Sequence, residues 1–364
     1  MSPRLSELPP PPLGRTGWPW STETPPSDAR TIAASWPRIT IVTPSFNQAL
    51  YLEEAIRSVL LQSYPNLQYI VIDGGSTDGS QAIIAKYAPW LDYWVSEPDR
   101  GQSHAINKGL SLATGEWFNW INSDDCLSPG ALAAVAAADR PGAQLISGAQ
   151  VTGPTLAAAT PLGRTRIGPT CEDALVNHFI CQQGLFFKTA IIQAIHGVRE
   201  DLHYVMDLDL FARLLLESGP ESIVETPATL ALFRRHDAAK TSIAADRFRD
   251  EELRIFAGLG RIVGLRADLL AHLPADHPLE FSAAATARLD RTRLGQLLAR
   301  KYWWDGTVER CLRERSYTEF RREARAFVRA YPELREPRIS KLHFLASLPE
   351  PFLRLLSRFR ADPS

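Results

Sequence analysis

Trp117-Phe118-Asn119-Trp120-Ile121-Asn122-Ser123-Asp124-Asp125 is an aromatic, apolar run that ends in two adjacent carboxylates. A run of this length reads as a buried strand. Acids at its carboxyl end lie where an open α/β sheet binds ligands. Two neighbouring carboxylates at such an edge suit a hard divalent cation that carries a phosphorylated ligand. The rival reading is an N-cap aspartate for the helix predicted from Pro129-Gly130-Ala131-Leu132. The segments on either side decide between the two.

Upstream, Ile39-Thr40-Ile41-Val42-Thr43, Leu67 to Ile72 and Tyr93 to Ser96 read as strands. Between them, Leu52, Ala55, Ile56, Val59 and Leu60 follow helical spacing, Ala82 to Tyr87 continues as a helix, and 103–112 is helical before Trp117. This alternation predicts right-handed βαβ units: an α/β fold with a mainly parallel mixed sheet flanked by helices. Acids follow three of the strands: Asp73, Asp99, and Asp124 with Asp125. In a parallel sheet those ends share one edge, so the acids converge on one cleft. The turn Gly74-Gly75-Ser76-Thr77-Asp78-Gly79 is neither G-x-G-x-x-G nor a P-loop. Its glycines serve a tight turn or close approach to a ligand, and the sequence leaves both open.

Downstream, Leu145 to Gly148 reads as a strand and 152–170 as a long loop. Gln182 and Gln183 precede a strand that continues through Leu185-Phe186-Phe187. Asp207 stands near the start of an amphipathic helix that stops at Gly219-Pro220, as a dipole-favoured cap or as a functional acid. Asp209 faces differently and reads as structural. A strand over 229–233 runs into Arg234-Arg235-His236, with Lys240 beyond, and these bases meet phosphates or form an ordinary solvated loop.

Composition bounds the rest. The chain has 364 residues, 45% hydrophobic and 22% charged, with a net charge of -1. That balance gives no drive toward nucleic acid. The four cysteines are scattered and read as buried small hydrophobes. There is no apolar run long enough to span a membrane and no apolar N-terminal leader, so the expectation is a soluble, cytoplasmic protein. Residues 1–36 hold Pro9 to Pro12 and Pro25-Pro26 and are expected to be extended or disordered. Trp18, Trp20 and Trp36 in that segment pack it onto the domain or meet a partner. A folded domain is expected over 37–245, followed by a helical region over 246–364. Residues 309–364 hold 13 Lys and Arg against 8 Asp and Glu. The amphipathic stretch from Lys341 onward packs on its own domain, the preferred reading, or lies against an anionic membrane at the inner face of the cell.

Several stretches together resemble glycosyltransferase family 2. They are Ile41 to Gln48, Asp73 to Ser80, Glu97 to Ser103, Asn107-Lys108-Gly109, Ala113 to Glu116 and Asn122 to Asp125, in the family's order over about 38–240. The resemblance implies the GT-A fold and transfer of a sugar from a nucleotide-diphosphate donor (a UDP-, GDP- or dTDP-sugar) to an acceptor hydroxyl, with inversion. It implies that Pro44, Ser45, Asn47, Gly101, Gln102 and Asn107 line the donor and that Asp73 and Asp99 meet the base. Asp124 and Asp125 would be metal ligands, with Asn122 in the place often held by an acid. His236 would join the metal site, and Mn2+ or Mg2+ would be the cation. Asp207 occupies the place of the catalytic base, with Met206 before it where a Glu is usual. His104 stands where relatives commonly carry Asp. Gln182, Gln183 and Lys240 would belong to the acceptor side or the diphosphate loop. The acceptor would be a glycan or a lipid-linked glycan in bacterial polysaccharide assembly. The physical case agrees: sugar transfer needs a base for the acceptor proton and a stabiliser for the departing diphosphate. A nucleotidyltransferase would show a basic, glycine-rich loop after the first strand, and Pro44-Ser45-Phe46-Asn47 is not one. A non-catalytic, glycan-binding scaffold on the same fold is the alternative, kept open by Asn122, His104 and Met206.

Overall fold

The computed structural model describes residues 2–25, 36–237, 239–240, 244–273, 286–334, 336–349 and 351–353. They form two compact units, the first over Met1–Pro169 and His178–Glu251, the second over Thr170–Asn177 and Glu252–Ser364.

The first unit begins with β1 (Ile39–Ser45), α1 (Ala49–Leu60), β2 (Leu67–Asp73), α2 (Ser80–Tyr87), β3 (Tyr93–Ser96), α3 (Gln102–Ser111), β4 (Trp117–Trp120) and β5 (Cys126–Leu127). It continues with α4 (Ala131–Ala138), β6 (Leu145–Gly153) and β7 (Thr160–Gly163). The first three strands and β4 pair in parallel, in the order β3-β2-β1-β4. All seven residues of β1 and of β2 are buried, which is why they read as continuous apolar runs rather than alternating ones. Beyond β4 the sheet becomes mixed. There β8 (Leu185–Lys188) pairs antiparallel with both β4 and β6, and β9 (Ile223–Arg234) runs parallel to β6 and antiparallel to β5. The loop expected over 152–170 is in part a hairpin, since β7 folds back on β6.

Register fixes where the site lies. Ser45 stands opposite Asp73, and Asp73 opposite Ser96, so the carboxyl ends of three strands share one edge. Because β1 has β2 on one side and β4 on the other, the strand order reverses at β1, and the carboxyl ends of these strands are where an open α/β sheet takes its ligand.

Residues 2–25 depart from the expectation of an extended or disordered segment. Leu8, Trp20 and Thr24 are buried, and Trp18 Nε1 donates to the Leu127 carbonyl at 3.0 Å. The reason is Arg57 on α1, whose side chain is fully buried. Its guanidinium donates to the carbonyls of Pro9, Pro19 and Trp20 at 2.9, 3.0 and 3.1 Å, and to Tyr87 Oη at 3.0 Å. A buried cation needs acceptors, and this segment supplies three of them. Trp36 packs edge-on against Tyr64 at 5.0 Å, so the tryptophans pack the segment onto the domain.

After β7 the remaining helices are α5 (Cys171–Val176, in the second unit), α6 (Thr189–Ala194), α7 (Met206–Ser218) and α8 (Ala245–Ile262), whose turns up to Glu251 belong to the first unit. The second unit then holds α9 (Ala267–Leu270), α10 (Arg291–Leu298), a π-helical stretch over Ala299–Val308, α11 (Glu309–Arg313), α12 (Tyr317–Ala330) and α13 (Pro337–Ser347). Trp303, Trp304, Phe320 and Phe327 form its aromatic centre. Ile339, Leu342 and Ala346 of α13 are buried, as packing on its own unit requires. The rest of the amphipathic tail, from Arg354 onward, lies outside the described residues. None of the four cysteines is in a disulfide, and three of them are buried. Among the described residues no helix is long and apolar enough to cross a membrane.

Candidate active site

The turn after β4 carries the opening pair of acids, and the fold sends them opposite ways. Asp125 turns inward and is 1% exposed. Its Oδ1 accepts the Arg234 amide at 2.9 Å, and its Oδ2 accepts Gln183 Nε2 at 2.7 Å and Asn122 Nδ2 at 3.0 Å. Burial raises its pKa, and the charge of Asp124 beside it adds to the effect. Asp125, expected as a metal ligand, therefore has both oxygens engaged by the protein's own N–H donors. It ties the end of β4 to β9, to which β5 is also paired.

Asp124 turns the other way. Its Oδ2 lies 3.0 Å from His236 Nε2, and both side chains are partly exposed. The His236 ring packs on Tyr51 with centroids 4.7 Å apart, and Tyr51 also lies 5.2 Å from the Arg234 guanidinium. Arg234 itself is 4% exposed, pairs with Glu54 at 3.1 Å, and donates through Nε to the Asp124 carbonyl at 2.8 Å. The basic run after β9 thus splits: Arg234 braces the Asp124 backbone from within, while His236 meets the Asp124 carboxylate. Among the described residues no three His, Cys, Asp or Glu side chains converge to hold a metal ion. Asp124 and His236 make a pair. One carboxylate oxygen and one imidazole nitrogen are donor types that could help hold a cation such as Mn2+.

A network runs outward from this pair. Gln102 donates from Nε2 to Asn122 Oδ1 at 2.7 Å and accepts at Oε1 from Lys240 Nζ at 2.8 Å. Lys240 donates also to the His203 carbonyl at 3.1 Å. His203 opens the turn that leads into α7, and Glu251 holds that turn from the other side. The Glu251 carboxylate accepts the backbone N–H groups of His203, Tyr204 and Val205, the shortest at 2.8 Å. Asp207 follows in the first turn of α7, half-buried, with Oδ1 accepting the Leu208 N–H at 2.9 Å. Burial pushes its pKa up to about 6, against an ordinary 3.8. A carboxylate in that range ionises near neutral pH yet stays basic enough to take a proton. Asp209 pairs with Arg213 at 2.5 Å, which in turn holds the Ile195 and Gly197 carbonyls, a structural use.

The other edge of the crevice is built on β1, β2 and β3. Asp73 accepts the Ser76 N–H at 2.9 Å, Ser76 Oγ at 2.5 Å and Ser96 Oγ at 2.5 Å. Asn47, at φ 52°, donates its N–H to Ser76 Oγ at 2.7 Å and accepts the Thr77 N–H at 2.9 Å, which clips the loops after β1 and β2 together. Asp99 accepts the Gly101 N–H at 2.7 Å, and a Cβ on Gly74 would stand 2.9 Å from its Oδ2. The constraint in the glycine-rich turn is at Gly75, whose φ of 82° and approach to the Pro98 backbone nitrogen, 3.2 Å from a Cβ built there, favour glycine. Ser45 Oγ, beside Pro44 at the end of β1, is buried with no hydrogen-bond partner among the described residues.

The amides of three expected site residues are engaged by the protein itself. The amide of Asn107 is spent on the Val198 backbone, donating at 2.8 Å and accepting at 3.0 Å. Gln182 and Gln183 are buried: Gln182 Nε2 donates to Asn119 Oδ1 and the Trp120 carbonyl, and Gln183 holds Asp125 while accepting Gln150 Nε2 at 2.8 Å. They support the strand end from below.

The model of the family described as "Glycosyl transferase family 2" matches residues 40–194. An uncharacterised glycosyltransferase of Mycobacterium tuberculosis is 30% identical over 194 residues, which cover 52% of this chain and 73% of that protein. The chain belongs to glycosyltransferase family 2. An uncharacterised glycosyltransferase of Rickettsia typhi is 37% identical over 93 residues, so the match spans 26% of this chain and 29% of that protein's length. Among solved structures, TarS residues 1–349 of S. aureus in complex with UDP aligns with a TM-score of 0.52 at 18% identity, covering 87% of both chains. The mannosyltransferase PcManGT of Pyrobaculum calidifontis, in complex with GDP-Man and Mn2+, aligns with a TM-score of 0.51 at 18% identity, covering 94% of this chain and 87% of that one. These likenesses establish the GT-A fold.

Within this family member, sequence reasoning missed Tyr51, Glu54, Arg234 in its bracing role, and Glu251. Glu54 and Glu251 read as ordinary acids on helix faces. Only burial beside a cation or beside three amides marks them out.

Proposed function

We propose that the protein transfers a sugar, with inversion, from a nucleotide-diphosphate donor to an acceptor hydroxyl. The observation that carries this is one hydrogen-bonded path, Asn122–Gln102–Lys240–His203. It joins the end of β4, where Asp124 meets His236 from just past β9, to the turn before Asp207. Ser45, Asn47, Asp73 and Asp99 line the nucleotide side of the crevice. The donor's base and diphosphate then lie along the carboxyl ends of β1, β2 and β4, as ligands of open α/β sheets do. Asp207 takes the acceptor hydroxyl proton while that oxygen bonds the anomeric carbon. The bond from that carbon to the diphosphate breaks, and its electron pair leaves with the phosphate. The leaving group departs as an anion, so no acid partner is required, unlike glycoside hydrolysis.

Asp124 and His236 are the residues that would hold a divalent cation, Mn2+ or Mg2+, and such an ion supplies positive charge to the departing diphosphate. Lys240, held between Gln102 and His203, adds a second positive charge at the same edge. The donor classes are suggested by the structural neighbours, one bound to UDP and one to GDP-Man with Mn2+. A glycan or lipid-linked acceptor in polysaccharide assembly fits the family. The test is a panel of UDP-, GDP- and dTDP-sugars scored by thermal shift with and without Mn2+. One nucleotide class should raise the melting temperature, and more so with the metal. A flat panel would leave the non-catalytic scaffold as the reading.

A further inference from the structure

The second unit carries a basic face that sugar transfer does not use. On α12, Tyr317, Phe320, Ala324 and Phe327 point inward and are buried. The opposite side presents Arg321, Arg322, Arg325 and Arg329, which with Thr318 and Ala326 line an open groove of about 510 Å³. Arg322 is matched by Glu323 at 2.9 Å and Glu319 at 3.6 Å. The other three are not matched. Arg321 and Arg325 donate to the Ala346 carbonyl on α13, at 3.2 and 3.3 Å, a neutral acceptor. Among the described residues no ion pair involves Arg321, Arg325 or Arg329. Arg321, Arg325 and Arg329 are spaced four residues apart, and like charges at that spacing on a helix destabilise it. A helix that keeps such a row uncompensated, in a chain with a net charge of -1, presents it to an external anion.

Two exposed aromatic side chains in the same unit suggest which anion. Phe344 on α13 and Phe352 beyond it are 64% and 58% exposed, the kind of apolar contact an interfacial segment makes with lipid. A soluble polyphosphate would have no use for them. We propose that the arginine face of α12 binds the phosphate groups of an anionic phospholipid surface, with Phe344 and Phe352 entering its headgroup layer. This site lies wholly in the second unit and does not depend on the reaction assigned to the first.

The test is sedimentation of the full chain with vesicles of phosphatidylcholine, alone or mixed with phosphatidylglycerol. The protein should pellet with the mixed vesicles only, and less so at high salt, where surface charges are screened. The pair Arg325→Glu with Arg329→Glu should lower the partition coefficient by at least roughly 25-fold, at about fivefold for each arginine removed. Arg329→Glu alone, at an exposed residue with no hydrogen bond or ion pair among the described residues, guards against misfolding and should give roughly a fivefold loss or more. Arg325→Lys with Arg329→Lys should keep binding. Phe344→Ser with Phe352→Ser should weaken it. A wild-type chain that stays in the supernatant overturns the proposal, as do glutamate variants that pellet like wild type. If soluble polyphosphate competes fully and the Phe variants bind normally, the face belongs to a soluble polyanion and the membrane assignment is wrong.

Discussion

Asp207→Asn should make the protein inactive and more stable at once. The side chain is half-buried, and burial lifts its pKa from 3.8 to about 6. The folded state therefore holds the proton more tightly than the unfolded chain does. Stability is fully present below pH about 4 and declines as pH rises through about 6, because the carboxylate must then ionise inside the fold. The shift of about two pH units sets a ceiling of about 3 kcal/mol on that penalty. Solvent reaching a half-buried group, and the favourable position of a carboxylate at the start of α7, reduce it to about 1–2 kcal/mol. Asparagine keeps an oxygen for the Leu208 N–H and has no charge to bury. At pH 7.5 the variant should melt higher, by about 2–4 °C for each kcal/mol gained. At pH 4.5 the difference should shrink toward zero. Turnover should fall on the order of a hundred- to ten-thousand-fold with donor affinity unchanged. In the wild type, kcat/KM should rise with pH through about 6. Calorimetry at the two pH values and a donor-hydrolysis or transfer assay read both halves. A variant that melts lower than wild type at both pH values would refute the burial argument, and retained turnover would move the base elsewhere.

The two acids after β4 should separate cleanly. Asp124→Asn or His236→Ala should remove the Mn2+ dependence of donor binding in titration calorimetry while leaving the melting temperature close to wild type, and chelation should mimic them. Asp125→Ala should cost about 2–4 kcal/mol of stability, because two buried donors and one partly buried donor lose their acceptor, as a denaturant titration would show. Equal melting temperatures for the Asp124 and Asp125 variants would contradict the opposite orientations of the two side chains. Glu251→Ala should lower kcat more than it raises KM, since it frees the turn ahead of Asp207. Glu251→Gln, which keeps an acceptor oxygen, should recover most of the loss, and a lack of recovery would point to a role for the charge itself. Deleting residues 1–25 should lower the melting temperature by several degrees, because Arg57 is left buried with three fewer acceptors. An unchanged transition would mean that the segment is dispensable.

Local pattern was enough for the fold class and for the edge on which the site lies. Strands buried on both faces are continuous apolar runs, and their alternation with amphipathic helices admits few topologies, so β1 to β4 and the acids after them were legible as they stand. The assignment of roles within the acidic pair was not. Asp124 and Asp125 are neighbours with the same chemistry, and sequence gives no sign that one faces Arg234 and Gln183 while the other faces His236. Gln182, Gln183 and Asn107 were placed at the ligand by the resemblance, and it took the fold to show that their amides are engaged by the protein itself. The Pro-rich start of the chain looked unable to fold, and alone it could not bury enough surface. What ordered it was a single arginine on α1 in need of carbonyls. Sequence by itself determined the sheet, its helices and the carboxylate-bearing edge, because those depend on periodicity and composition. Only the tertiary structure decided which carboxylate faces the crevice, how Asp207 is tied to it through Gln102 and Lys240, and why residues 2–25 are held. Those depend on which polar groups are buried together, and burial is set by segments far apart in the chain.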